Sequence, residues 1–140
     1  MRFPIGIQNF RTLREDGYLY IDKTELIYKL VDTGCYYLLS RPRRFGKSLL
    51  VSTLEAYFQG KKEQFKGLAM ERLEKDWTAR PVFHLDLNVG KYESTQSLLD
   101  TLNEALTVWE QEYGAAEAER NVGLRFKGVV QRAYEKTGHR

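Results

Sequence analysis

The segment Leu38-Leu39-Ser40-Arg41-Pro42-Arg43-Arg44-Phe45-Gly46-Lys47-Ser48-Leu49-Leu50 closes on Gly-Lys-Ser, the end of a phosphate-binding loop of the pattern G-x-x-x-x-G-K-[ST]. Such a loop turns successive backbone N–H groups toward an anion, its lysine reaches the β- and γ-phosphates of a nucleotide, and its hydroxyl binds Mg²⁺. Lys47 is the candidate catalytic cation and Ser48 the candidate metal ligand. Pro42, Arg43, Arg44, Phe45, Gly46, Lys47, Ser48 and Leu49 are the candidate nucleotide-binding residues.

The pattern's first glycine would fall at position 41, where the chain has arginine. The loop's concavity is built from backbone, so an outward side chain at its entrance is tolerable. Pro42 pushes the residue before it toward extended conformations, which arginine adopts without strain. Gly46 is different, because the chain must pass tightly beneath the β-phosphate there. Charge points the same way. The chain carries a net +3, and Arg41, Arg43, Arg44 and Lys47 place four positive charges within seven residues, leaving the remainder at −1. A nucleic-acid surface spreads its cations along a face; one compact cluster suits one polyphosphate. The alternative is a non-catalytic module whose arginine loop grips an acidic protein or nucleic acid.

The flanking elements fit a phosphate loop. Cys35 to Leu39 is continuously apolar and predicts a strand buried on both faces of a parallel sheet. After the loop, Leu50, Leu54, Tyr57 and Phe58 recur with helical spacing from Ser48 to Phe58, with Gly60 as the stop. Upstream, Asn9 predicts the cap of a helix through Glu15, Tyr18 to Ile21 is strand-like, and Asp22 with Glu25 reads as a capping box for a helix ending at Gly34. Downstream, residues 61–76 read as helical pieces around Gly67, with Trp77 anchoring them to the core. Pro81 opens a second strand-like run, Val82 to Leu87. Ser94 caps a long helix to Gly114, and a last helix runs from Leu124 to Lys136. Alternating strands and helices predict an α/β fold, a P-loop NTPase-type parallel sheet flanked by helices, with the loop at the carboxyl end of a strand.

A length of 140 residues fits one domain, 1–140. The lone cysteine, Cys35, cannot form an internal bridge and predicts a reducing compartment, the cytoplasm. No run approaches the roughly 20 apolar residues of a membrane span. His84 and His139 lack cysteine or carboxylate neighbours at ligand spacing, so no zinc site is expected.

The sequence resembles the AAA-ATPase-like family of bacterial and archaeal P-loop NTPases, often joined at their C-terminus to a restriction-endonuclease-like nuclease domain. PIGIQNFRTLREDGYLYIDKT, SRPRRFGKSLL with LEAYFQGKKEQFKGL, and PVFHLDLN carry the likeness over nearly the whole chain. The resemblance implies ATP and Mg²⁺ as ligands, a core of the class that uses a catalytic glutamate, and a loop normally lacking its first glycine. It also implies an acidic Walker B strand following AYEKTGHR, so the chain reads as an N-terminal part of the domain that binds ATP and hydrolyses it little. Asp86 is the alternative metal-site acid or an ordinary strand-end aspartate. Asp22-Lys23-Thr24 lies near the adenine in such ATPases or simply caps its helix. An open sheet edge would favour self-association. Nucleic acid is expected only through the attached domain.

Overall fold

Three of the described α-helices start at an N-cap side chain that accepts a free N–H group of the first turn. Asn9 Oδ1 accepts from Thr12 N–H at 3.2 Å ahead of α1 (Phe10–Glu15). Ser94 and Ser97 form a reciprocal capping box ahead of α5 (Thr95–Tyr113). Asn121 Oδ1 accepts from Leu124 N–H at 2.9 Å ahead of α6 (Val122–Thr137). The remaining helices are α2 (Thr24–Thr33), α3 (Lys47–Phe58) and α4 (Ala69–Leu73), with a short 3₁₀ turn at Lys62–Phe65. The structure, a computed structural model, describes residues 2–42, 45–88 and 92–139. They divide into two compact units, Met1–Ala79 and Arg80–Arg140.

In the first unit α1 packs on α3 and α2 on α4. The core joins Phe10, Ile27, Ala56, Phe65, Leu68 and Met70, with Leu49, Leu50, Leu54, Tyr57 and Trp77 packed against it. Phe10 meets Tyr20 edge-on at 5.3 Å between ring centroids, and Phe65 stands 4.9 Å from Phe10 and 5.1 Å from Trp77. Trp77 thus anchors the pieces around Gly67, as expected. Tyr57 Oη donates to Glu74 Oε2 at 2.5 Å, tying the end of α3 to the segment that leads to Trp77.

The second unit is an α5–α6 hairpin. Arg125 on α6 donates both Nε and Nη2 to the Glu110 carboxylate, at 2.8 and 2.7 Å, and Nη1 to Asn103 Oδ1 at 2.7 Å. Arg132 holds the connecting loop through Glu119 at 2.7 and 3.0 Å and the Gly114 carbonyl at 2.9 Å. Gly128 is what admits Glu119 to this pair, since a Cβ there would stand 1.7 Å from Glu119 Oε1. Phe83 packs against Trp109, Tyr113 and Phe126 beside buried Leu106, Val129 and Ala133.

The expected α/β architecture is overturned. The described residues hold no sheet; their sole pairing is an isolated parallel bridge between Arg2 and Tyr18. Residues 35–39, read as a doubly buried strand, form no strand and are exposed, with Tyr36 97% and Leu38 96% accessible. Apolarity raises the value of burial, but a strand also needs a ladder partner for its backbone groups, and neither 18–21 nor 82–87 supplies one. The run instead folds back locally, where Tyr37 Oη donates to the Leu30 carbonyl and contacts Thr33 Oγ1 at 3.2 Å. Without a sheet, the sheet-edge ground for self-association falls as well. The Asp22–Glu25 capping box does not form either: Glu25 pairs with Lys29 at 2.7 Å, one turn on. Among the described residues no helix is long and apolar enough to cross a membrane.

Candidate functional site

Helix α3 differs at its start from α1, α5 and α6, whose N-cap side chains accept a first-turn N–H. Its N-cap is Gly46, at φ 77° and ψ 17°, with no side-chain cap hydrogen bond. Leu50 N–H donates to the Gly46 carbonyl at 3.0 Å as the first rung, so the N–H groups of Lys47, Ser48 and Leu49 precede the intrahelical ladder. No acidic residue lies in this first turn. Arg41, Pro42, Phe45, Gly46, Lys47 and Ser48 are exposed, and Leu49 is half-buried with its side chain against the core. The structure thus gathers Phe45 to Leu49 at one helix start; Arg43 and Arg44 lie outside the described residues.

The left-handed backbone at Gly46 explains its glycine. An added Cβ would meet nothing within 4 Å, so the cost of a side chain there is conformational rather than steric. Gly46→Ala should lose about 1 kcal/mol in denaturant unfolding, the cost of holding alanine at positive φ. An unchanged unfolding free energy would show that the helix start relaxes freely.

Asp22 and Thr24 sit where side chains serve two helices at once. Asp22 Oδ1 accepts from Thr24 N–H at 2.9 Å and Thr24 Oγ1 at 2.7 Å, and Oδ2 accepts from Ala69 N–H at 2.7 Å. Thr24 Oγ1 in turn accepts from Met70 N–H at 3.0 Å. The pair therefore caps α2 in its own segment and α4 from 46–47 residues away. Burial pushes the Asp22 carboxyl up, but hydrogen bonds from Thr24 and Ala69, with Arg14 nearby, outweigh it and bring it below its ordinary 3.8. Capping accounts for both side chains without a ligand.

Asp86 belongs to the second unit, where Oδ1 accepts from Asn88 N–H at 2.8 Å and Asn88 Nδ2 at 3.0 Å in a local turn. Among the described residues no three His, Cys, Asp or Glu side chains gather as a metal group. Two polar side chains escaped the sequence pattern. Ser52 and Thr53, in the second turn of α3, both hydrogen-bond the Leu49 carbonyl, at 3.0 and 2.7 Å. The signal for them was a Ser-Thr pair inside an otherwise apolar helix.

A helix start bearing Gly-Lys-Ser, uncapped by any side chain and free of acid in its first turn, is the feature by which a family can be tested. The family model described as "Predicted AAA-ATPase" matches residues 4–140, and the chain belongs to this AAA-ATPase-like family. A protein of Azotobacter chroococcum mcd 1, described as an uncharacterized protein in the vnfD 5′ region, is 40% identical over 141 residues. That match covers 99% of this chain and 27% of the relative, so the chain spans about a quarter of that protein's length. No solved structure matches the chain.

Proposed function

We propose that the chain is the ATP-binding part of an NTPase, that the segment 42–49 carries the nucleotide phosphates, and that nucleotide state is passed to an attached domain in the longer protein. The observation that carries this reading is an electrostatic mismatch. Lys47 opens a helix whose N-terminus is already the positive end of its dipole, with no acid in the first turn to offset it. For folding alone that placement is unfavourable. Around an anion the helix end, the lysine and the three leading N–H groups act together.

The residues present suit a phosphate. The Gly46 backbone, the exposed Lys47 ammonium and the Ser48 hydroxyl would hold the β- and γ-phosphates, and Ser48 would face Mg²⁺. When bound, Mg²⁺ supplies charge neutralisation on the transferring phosphoryl group. Lys47 lowers the cost of charge on the same oxygens, which is the catalytic role assigned to it. The nuclease-like domain of related proteins is the proposed recipient of the nucleotide signal. Any self-association would rest on exposed apolar residues such as Ile5, Tyr36 and Leu38.

Titration with a non-hydrolysable ATP analogue, with and without Mg²⁺, tests the reading. Saturable binding strengthened by Mg²⁺ is expected. Binding of polyanions such as heparin or RNA in its place, indifferent to Mg²⁺, would favour the arginine-loop module instead.

A further inference from the structure

Serine is a poorer helix former than alanine, and a hydroxyl bonded back to a carbonyl one turn earlier bends a helix slightly, so Ser52 in the apolar helix α3 needs a reason. Its Oγ accepts the N–H of Phe10 at 3.0 Å and donates to the Leu49 carbonyl at 3.0 Å, with the Gln8 carbonyl at 3.4 Å as a second acceptor. Phe10 is the first residue of α1 and is fully buried, so the N–H that Ser52 holds is a fixed point of the core. Leu49 lies in the first turn of α3, directly after Lys47 and Ser48. One hydroxyl therefore links the core end of α1 to the turn that begins the candidate phosphate loop. Thr53, buried to 1% exposure, holds the same Leu49 carbonyl from the interior side of the helix.

We infer that Ser52 is a positioning residue for nucleotide binding: it fixes the first turn of α3 against α1, so that the N–H groups of Lys47, Ser48 and Leu49 are aligned before the phosphates arrive. This rests on the phosphate-loop reading above. Anion binding by backbone N–H groups depends on their convergence, and a turn free to tilt would have to be ordered at the moment of binding. Ala at 52 would keep the helix and lose the link. Thr would keep the hydroxyl.

The test compares Ser52→Ala and Ser52→Thr with the parent chain, at a temperature where circular dichroism shows all three fully folded. Titration with a non-hydrolysable ATP analogue and Mg²⁺ should find Ser52→Ala weaker by roughly three- to tenfold, the worth of one hydrogen bond, and Ser52→Thr restored to within about twofold. In the ligand-free chain, the amide NMR signals of Lys47 to Leu49 should shift in Ser52→Ala and return in Ser52→Thr. A lower melting temperature with unchanged affinity would overturn the positioning role and leave Ser52 a structural link. If the parent itself binds no analogue, the phosphate-loop reading fails, and the amide signals alone decide whether Ser52 sets this turn; unshifted signals would refute it. Should Ser52→Ala not fold, Ser52→Cys, with a weak donor of similar size, replaces it under the same criteria.

Discussion

Lys47→Ala is expected to weaken binding of an ATP analogue by about one to two orders of magnitude, the loss of a charge-assisted hydrogen bond to phosphate, while stability holds or rises slightly. The two halves of this expectation come from the same place. Lys47 is the first residue of α3, exposed, beyond the packed core, and on the positive end of the helix dipole. Alanine is the better helix former, and removing a cation from a helix N-terminus relieves a repulsion of about 0.3–1 kcal/mol. A residue that folding would prefer to lose is retained for something other than folding. Isothermal titration paired with chemical denaturation separates the effects. Undiminished affinity in Lys47→Ala would remove the phosphate reading, and a large loss of stability would mean that Lys47 supports the fold in a way its exposure does not reveal.

What could be read from the chain beforehand was local. Helices α1 and α5 begin at their expected starts because apolar spacing and a capping side chain, Asn9 or Ser94, are written side by side in sequence, and α3 begins within a residue of its expected start on apolar spacing alone. α6 starts at Val122, two residues ahead of the expected Leu124, because Asn121 caps it and accepts from the Leu124 N–H. The strands failed for the opposite reason. Residues 35–39 show that burial would be favourable, but the ladder that makes a strand is a relation to another segment, and apolarity names no partner. The site divides in the same way. Gly46, Lys47 and Ser48 were legible as consecutive residues with a known chemical use. The bond from Ser52 to Phe10 spans 42 residues and left no trace in the pattern. Asp22, expected as the N-cap of a capping box, lies one residue before the N-cap Lys23 and bonds the Thr24 N–H from there; its second oxygen serves Ala69, and Glu25, expected to complete the box, pairs with Lys29 instead.

That double cap gives the largest expected loss of stability. Thr24 is fully buried, and its hydroxyl donates to Asp22 while accepting the buried N–H of Met70. Thr24→Val keeps the shape and removes both bonds, leaving the Met70 N–H without its acceptor inside the core. The unmatched donor and the lost bond together should cost about 2–3 kcal/mol in denaturant unfolding. Thr24→Ser, which keeps the hydroxyl and loses one methyl, should cost about 1 kcal/mol. A Thr24→Val chain within error of Thr24→Ser would show that the hydroxyl contributes nothing net. Acid provides an independent reading of the same clamp. The folded-state pKa of Asp22 lies below its ordinary 3.8, so its contribution is fully present above that value and is lost as pH falls through the lowered one. Thr24→Val deprives the carboxylate of one donor and lets its pKa climb back toward 3.8. Its ¹³C-carboxyl titration midpoint should therefore move upward, and the stability lost on acidification through Asp22 should be smaller than in the parent. A midpoint that stays put in Thr24→Val would mean that Ala69 and the Thr24 backbone N–H hold the Asp22 charge without help from the hydroxyl.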